Sequence, residues 1–199
     1  MIKRKRDRLY SMMRRKMPVM VGRMAKDHFQ DNFRQGGFVN GGLHPWPKAK
    51  RLSSGGTDAA SNYGTLLSGR KHLFKSVGYT PADYRVRVFN EVVYAPIHNW
   101  GGEIDVTVTD RMRRFAWAKF YKASEKRKKA DTGQKKRVKR HTKPKELNPQ
   151  AQFWRNMALT KKKRLHIRSP QRQFMGESEE LNSRIREKMD QEITNILNS

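Results

Sequence analysis

The chain of 199 residues contains no cysteine, so it has no disulfide framework, no thiolate nucleophile and no thiolate metal site. It also lacks any apolar run approaching the length of a bilayer-spanning helix. Its basic start does not lead into a signal core, because Leu9 to Met13 is followed at once by Arg14-Arg15-Lys16, and no secretory signal is expected. An intracellular place of assembly fits. Carboxylates number 18 against 45 lysines and arginines and are scarce around the histidines. The histidines at positions 28, 44, 72, 98, 141 and 166 include no pair at metal-ligand spacing. No metal or cofactor is expected.

What the chain has in quantity is positive charge. Its formal net charge is +27, with 35% hydrophobic and 32% charged residues. That balance predicts a compact middle with solvated arms rather than packing along the whole length. The charge is concentrated in three runs: Met1 to Lys16 carries +7, Lys122 to Glu146 carries +9 and Lys161 to Arg172 carries +6. Clusters of this kind attract polyanions by counterion release without any recognition motif. Nucleic acid, a membrane surface and an acidic protein ring all suit them. The polyanion contacts expected are Lys126, Arg127, Lys128, Lys129, Lys135, Lys136, Arg137, Lys139, Arg140, Lys161, Lys162 and Lys163.

Along the chain, Arg8 to Lys16 and Val19 to Arg34 read as helices split by Pro18. Met20, Val21, Met24, Ala25, Phe29 and Phe33 give the second an apolar stripe, ended by Gly36-Gly37. From Gly36 to Gly64 the composition predicts a long loop, in which Trp46 between two prolines is either a lid on the core or an anchor for a neighbouring subunit. Strands are expected over Tyr84 to Val88 and Ile104 to Val108, with a further one at Ser76 to Tyr79, and Tyr94 to Trp100 as a short helical turn closed by Gly101-Gly102. Thr109-Asp110 caps a helix over Arg111 to Lys122, with Met112, Phe115, Ala116 and Phe120 on one face. Lys122 to Lys145 lacks an apolar period and reads as a mobile basic arm or extended hairpin. A short helix at Gln152 to Leu159, a strand at Arg164 to Arg168 and a Ser178-capped final helix complete the pattern.

Three segments invite a chemical reading. Gly64 to His72 looks like a phosphate-cradling loop, but Arg70 separates Gly69 from Lys71, and His72 stands where a hydroxyl should follow the lysine. His98, near Asn99, Glu103 and Asp105, suggests a metal-dependent nuclease, against which stands a packing role in a turn. Phe89, Tyr94 and Trp100 beside an arginine-rich strand offer stacking for nucleotides, but a core role is favoured.

The most informative segments are Gly41-Gly42-Leu43-His44-Pro45-Trp46-Pro47, Gly69 to Val77, Tyr94-Ala95-Pro96-Ile97-His98-Asn99-Trp100-Gly101-Gly102, and Pro170-Gln171-Arg172-Gln173-Phe174-Met175-Gly176-Glu177-Ser178. In this order, behind an amphipathic N-terminal helix, they resemble the virion morphogenesis family of tailed phages, the Mu-like and P2-like tail completion proteins. The resemblance spans about Phe29 to Ser178. The basic N-terminal extension and the long run between Tyr121 and Glu146 depart from it. It implies a structural protein of the neck or head-to-tail junction, acting as a ring of identical subunits beside connector and tail proteins, in contact with packaged DNA or acidic protein surfaces. Assembly would take place in the host cytoplasm and involve no membrane. No catalysis is implied and no enzyme activity expected; His98 becomes a packing and hydrogen-bonding residue, and Trp46, Tyr94, Ile97, Trp100, Arg172 and Phe174 become the candidate subunit contacts. The rival, favoured by composition alone, is a nucleic-acid-binding protein of ribosomal type outside virions.

The expected fold is α+β: an antiparallel or mixed sheet of about three to five strands between N-terminal and C-terminal helices. Residues 1–17 are expected as an extension, and 18–199 as a single domain with a basic insertion at about 122–146.

Overall fold

The computed structural model describes residues 2–49, 52, 62–131 and 148–199, with backbone alone over 125–131. It is an α+β protein with small antiparallel two-stranded sheets and helices at both ends. The strands do not join into one sheet of three to five. Three separate pairs form instead. The chain divides into two compact units, Met1–Gly102 with Arg168–Ser199, and Glu103–Ile167. The second contains the basic insertion and extends to both sides of it.

In the first unit, α1 (Ile2–Ser11) runs through one π turn (Met12–Lys16) into α2 (Met17–Gln35) without a break. Pro18 therefore does not split the helix. Its ring nitrogen has no hydrogen to offer the carbonyl of Arg14, and a wider turn absorbs the misfit, with Met17 N–H donating to Met12 O. The spare Arg14 carbonyl accepts a hydrogen bond from Tyr84 N–H at 3.2 Å. Tyr84 lies at the tip of the hairpin of β3 (Val77–Ala82) and β4 (Arg85–Asn90), and Asp83 beside it pairs with the Arg14 guanidinium at 2.6 Å. The hairpin lies close on α2, since a Cβ at Gly22 would fall 2.3 Å from the Tyr79 ring.

Gly36 ends α2 in the left-handed conformation at φ 71°. The predicted long loop after it holds a small hairpin, β1 (Gly37–Val39) with β2 (Leu43–Pro45), turned by Gly41 and Gly42 at positive φ. Short helices α3 (His72–Lys75) and α4 (Ala95–Trp100) follow, on either side of the β3–β4 hairpin. Phe29, Phe33, Phe38, Trp46, Leu73, Val77, Phe174 and Leu181 belong to the core. A second apolar cluster joins Met12 and Met17 to Ile196 of the last helix. Met12 and Met17 thus pack into this unit with Leu9 and Met13 against them, while no residue of α1 is fully buried.

The second unit holds most of β5 (Gly102–Thr107) and β6 (Arg164–Ser169), and all of α5 (Asp110–Asp131) and α6 (Pro149–Leu159). Thr109 Oγ1 accepts from Met112 N–H at 3.3 Å, and Asn148 Oδ1 from Gln150 N–H at 3.0 Å, capping the two helices. Helix α5 runs through Asp131, so the first part of the predicted basic arm or hairpin is helical. Lysine, arginine, glutamate and alanine are good helix formers even without an apolar period. The remainder of that run, residues 132–147, lies outside the described residues. Among the described residues of this unit only Ala116, Ala151 and Ala158 are buried hydrophobics.

The last helix, α7 (Glu179–Asn198), returns to the first unit, with Ser178 Oγ accepting from Leu181 N–H at 3.3 Å. Lys5 and Arg8 of α1 reach its C-terminal end, Lys5 Nζ donating to Leu197 O at 2.5 Å and Arg8 to Ser199 Oγ at 2.8 Å. Cations there oppose the negative end of the helix dipole.

Candidate functional site

The segment from Pro170 to Glu177 is neither helix nor strand, yet Phe174 at its centre is 1% exposed. Buried backbone of this kind needs partners for its polar groups. Side chains supply most of them. Asn99 Oδ1 accepts from Phe174 N–H at 2.9 Å and Met175 N–H at 3.0 Å, while Asn99 Nδ2 donates to Met175 O at 3.1 Å. Only one orientation of the amide satisfies all three. Asn32, wholly buried on α2, donates to Phe174 O at 3.2 Å and accepts from Val39 N–H at 3.2 Å. The Trp46 indole donates to Gln173 O at 2.6 Å. Arg172 N–H donates to His98 O at 2.8 Å, and the Arg172 side chain reaches Pro47 O at 2.9 Å.

Three segments far apart in sequence, around Trp46, His98-Asn99 and Arg172-Phe174, therefore interlock. Gly101 completes the joint. Its φ of 72° and ψ of −171° lie in a region open essentially to glycine alone, and a Cβ there would sit 2.8 Å from Gln171 N.

On this base stands α4, and the outer side chains around it are uncovered: Val93 is 96% exposed, Tyr94 44% and Trp100 66%. Trp100 is thus not a core residue. Pro96 and Trp100 edge a groove of about 510 Å³ lined also by Ala25, Phe29, Val88 and Met175. Of the candidate subunit contacts, Trp46 and Phe174 are spent in the chain's own core, which gives Trp46 the lid position. Ile97 and Arg172 are half-buried, and Tyr94 and Trp100 face outward.

His98 packs its ring edge-on against Tyr94 at 5.8 Å. Its Nδ1 is buried without a hydrogen-bond partner among the described residues. Burial first, and the Arg172 charge second, hold its pKa below the ordinary value, so the ring is neutral at neutral pH. His72 Nδ1 meets the Tyr94 hydroxyl at 3.0 Å. In the glycine-rich stretch before it, Lys71 is left-handed and the helix that follows has only four residues. That geometry provides no helix end able to cradle phosphate.

Glu103 and Asp105 are engaged elsewhere. On the β5–β6 ribbon, His166 bonds Asp105 Oδ1 through Nδ1 at 2.9 Å and Glu103 Oε2 through Nε2 at 3.0 Å. Both ring nitrogens donating to carboxylates makes this an imidazolium held between two anions. Among the described residues no group of three or more His, Asp or Glu is arranged to hold a metal ion. The hydrogen bonds to Asp105, then Glu103, raise the His166 pKa above 6.5. A raised folded-state pKa adds stability that is complete below the unfolded value and is lost as pH rises through the folded one. Amide exchange in the ribbon should accordingly quicken as pH climbs above 6.5, after correction for intrinsic exchange. In His166→Gln that acceleration should vanish.

Lys161, Lys162 and Lys163 are exposed between α6 and β6. Lys126, Arg127, Lys128 and Lys129 ride on the end of α5, where only the backbone is described. Lys135, Lys136, Arg137, Lys139 and Arg140 lie outside the described residues. No family model, curated protein or solved structure matches the chain.

Proposed function

We propose that the chain is a structural protein of a tailed-phage virion, completing the tail or joining head to tail as one subunit of a neck or connector ring. The observation that carries this reading is the interlocking of the Trp46, His98-Asn99 and Arg172-Phe174 segments, the same segments that carry the family resemblance. Their chemistry is spent on holding α4 rigid, and the α4 region then presents Val93, Tyr94 and Trp100 outward. A rigid platform with an uncovered aromatic suits subunit contact, because tryptophan and tyrosine are the common anchors of interfaces. Closed rotation is the usual way for identical subunits to satisfy such surfaces. The basic runs would face packaged DNA or acidic surfaces of neighbouring connector and tail proteins. No helix among the described residues is long and apolar enough to cross a membrane.

The rival reading, a nucleic-acid-binding protein of ribosomal type, draws on the charge alone. Gene neighbours separate the two: portal, capsid and tail genes support the virion reading, and translation genes overturn it. At the level of the protein, Trp100→Asp should leave thermal stability within about 0.5 kcal/mol, as substitutions of exposed residues usually do. It should nevertheless abolish ring formation by electron microscopy and yield unjoined heads and tails. Joined, infective particles from this variant would count against α4 as the contact.

A further inference from the structure

The second unit fully buries few of its apolar side chains. Its buried hydrophobics among the described residues are three alanines, while Phe115 is 54% exposed and Phe153 60%. Alanine faces let α5 and α6 approach closely, while Trp117, Phe120 and Trp154 are only partly buried and Phe115 and Phe153 stand in solvent. Phe115 meets Trp154 edge-to-face at 5.8 Å, and Phe153 meets the same indole at 5.1 Å. These three rings make one continuous patch across the two helices. Lys119 Nζ lies 5.5 Å from the centre of the Phe115 ring, and Arg111, Arg114 and Arg155 are exposed on the same helices. From Glu103 to Ile167 the sequence holds 21 basic and six acidic residues, a net +15.

We infer that the Phe115–Trp154–Phe153 patch is a docking surface for a partner protein whose contact face has an apolar centre and an acidic rim. Charge selects that occupant. A second copy would bring Arg111, Arg114, Lys119 and Arg155 against the same four cations, and like charges at an interface oppose association. Nucleic acid fits the charge but not the rings. The Phe115 face already carries the Lys119 ammonium, and the rings stand at 85° and 75° to one another, so successive bases find no parallel platform to stack on. Duplex phosphates, for their part, offer nothing apolar to cover two half-exposed phenylalanines. Aromatic centres ringed by arginine are instead the common make-up of protein interfaces. The inference does not depend on the virion reading.

The test uses the full chain and three probes: an amphipathic helical peptide with leucine on one face and glutamate on the other, a glutamate-only peptide of equal charge, and oligo-dT. The leucine-bearing peptide should bind at least about tenfold more tightly than the glutamate-only one, a gap worth about 1.4 kcal/mol. Phe115→Ser with Phe153→Ser should abolish that gap, while Tyr121→Ser, an exposed aromatic that contacts Trp117 and Phe120 instead, should preserve it. Because the substituted rings are already half in solvent, far-ultraviolet circular dichroism should be unchanged. Single Phe153→Ser serves if the double variant unfolds. Equal binding of the two peptides would overturn the proposal in favour of charge alone. Loss of oligo-dT binding in the phenylalanine variants would assign the rings to bases, and loss of self-association would assign them to a second copy.

Discussion

Asn99→Leu is expected to cost at least about 3 kcal/mol of stability, since it strips partners at once from the buried Phe174 N–H and from the part-buried Met175 N–H and carbonyl, at about 1–3 kcal/mol for each such group left unpaired. Leucine keeps the branching of asparagine and is bulkier, so the loss would not report a cavity, and the aspartate variant separates lost hydrogen bonds from crowding. The urea midpoint should fall with the slope unchanged. Asn99→Asp discriminates further. It keeps the acceptor for the Phe174 and Met175 N–H groups but sets a carboxylate oxygen against Met175 O, where Asn99 Nδ2 now donates. It should therefore be intermediate near neutral pH and recover as the pH is lowered and the carboxyl takes up a proton. A midpoint for Asn99→Leu within error of the unsubstituted chain would remove the joint from the account of this fold.

Gly101→Val should destabilise by at least about 3 kcal/mol, from two sources. A non-glycine residue in that backbone region costs about 1–3 kcal/mol, and a β-branched side chain adds crowding. The nearest atoms to a new Cβ are Gln171 N at 2.8 Å and Gln171 Cα at 3.1 Å. These belong to backbone, which cannot swing aside as a side-chain tip would. Gly36, in the left-handed helical region that other residues enter at moderate cost, has nothing within 4 Å of the same virtual atom. Gly36→Ala should thus show the conformational cost alone, about 1–2 kcal/mol. Gly36→Ala is therefore the milder reference, and thermal unfolding of the purified proteins reads both. By contrast His98→Ala should cost little, since the ring's Nδ1 has no partner among the described residues to lose.

Regular elements were legible wherever a period or a cap announced them. Phe29 and Phe33 on α2, the Gly36 stop, the Thr109 and Ser178 caps and the short α4 helix all follow from local patterns. Pro18 misled because proline's missing donor normally ends a helix, whereas here the π turn and the Tyr84 N–H from a distant hairpin absorb the defect. The basic run past Lys122 misled for a different reason. Missing amphipathicity removes a reason to pack, but not the backbone preference for helix. Separate strand pairs went unseen because alternation locates a strand without naming its partner. At the site, the aromatic landmarks Trp46 and Phe174 lie in segments that interlock in the fold, but Asn32 and Asn99 gave no signal: a polar residue inside an apolar face looks the same whether it serves structure or solvent. The His166 pairings were equally hidden. They join positions 61 and 63 residues apart, a distance no spacing rule spans.

The way the two units are threaded bears on the order in which they form. The second unit is one unbroken stretch, Glu103–Ile167, whereas the first needs both Met1–Gly102 and Arg168–Ser199. Its central bonds join residues 75, 76, 127 and 142 positions apart. A ribosome delivers the chain N-terminal end first, at about 5–20 residues per second. Asn32, Trp46 and Asn99 must therefore wait for Phe174, their polar groups open to water, while the inserted unit is completed. Long-range closure of this kind is slow. The last thirty or so residues act as the latch, and a chain cut short before Arg172 should be left with its first hundred residues unable to close.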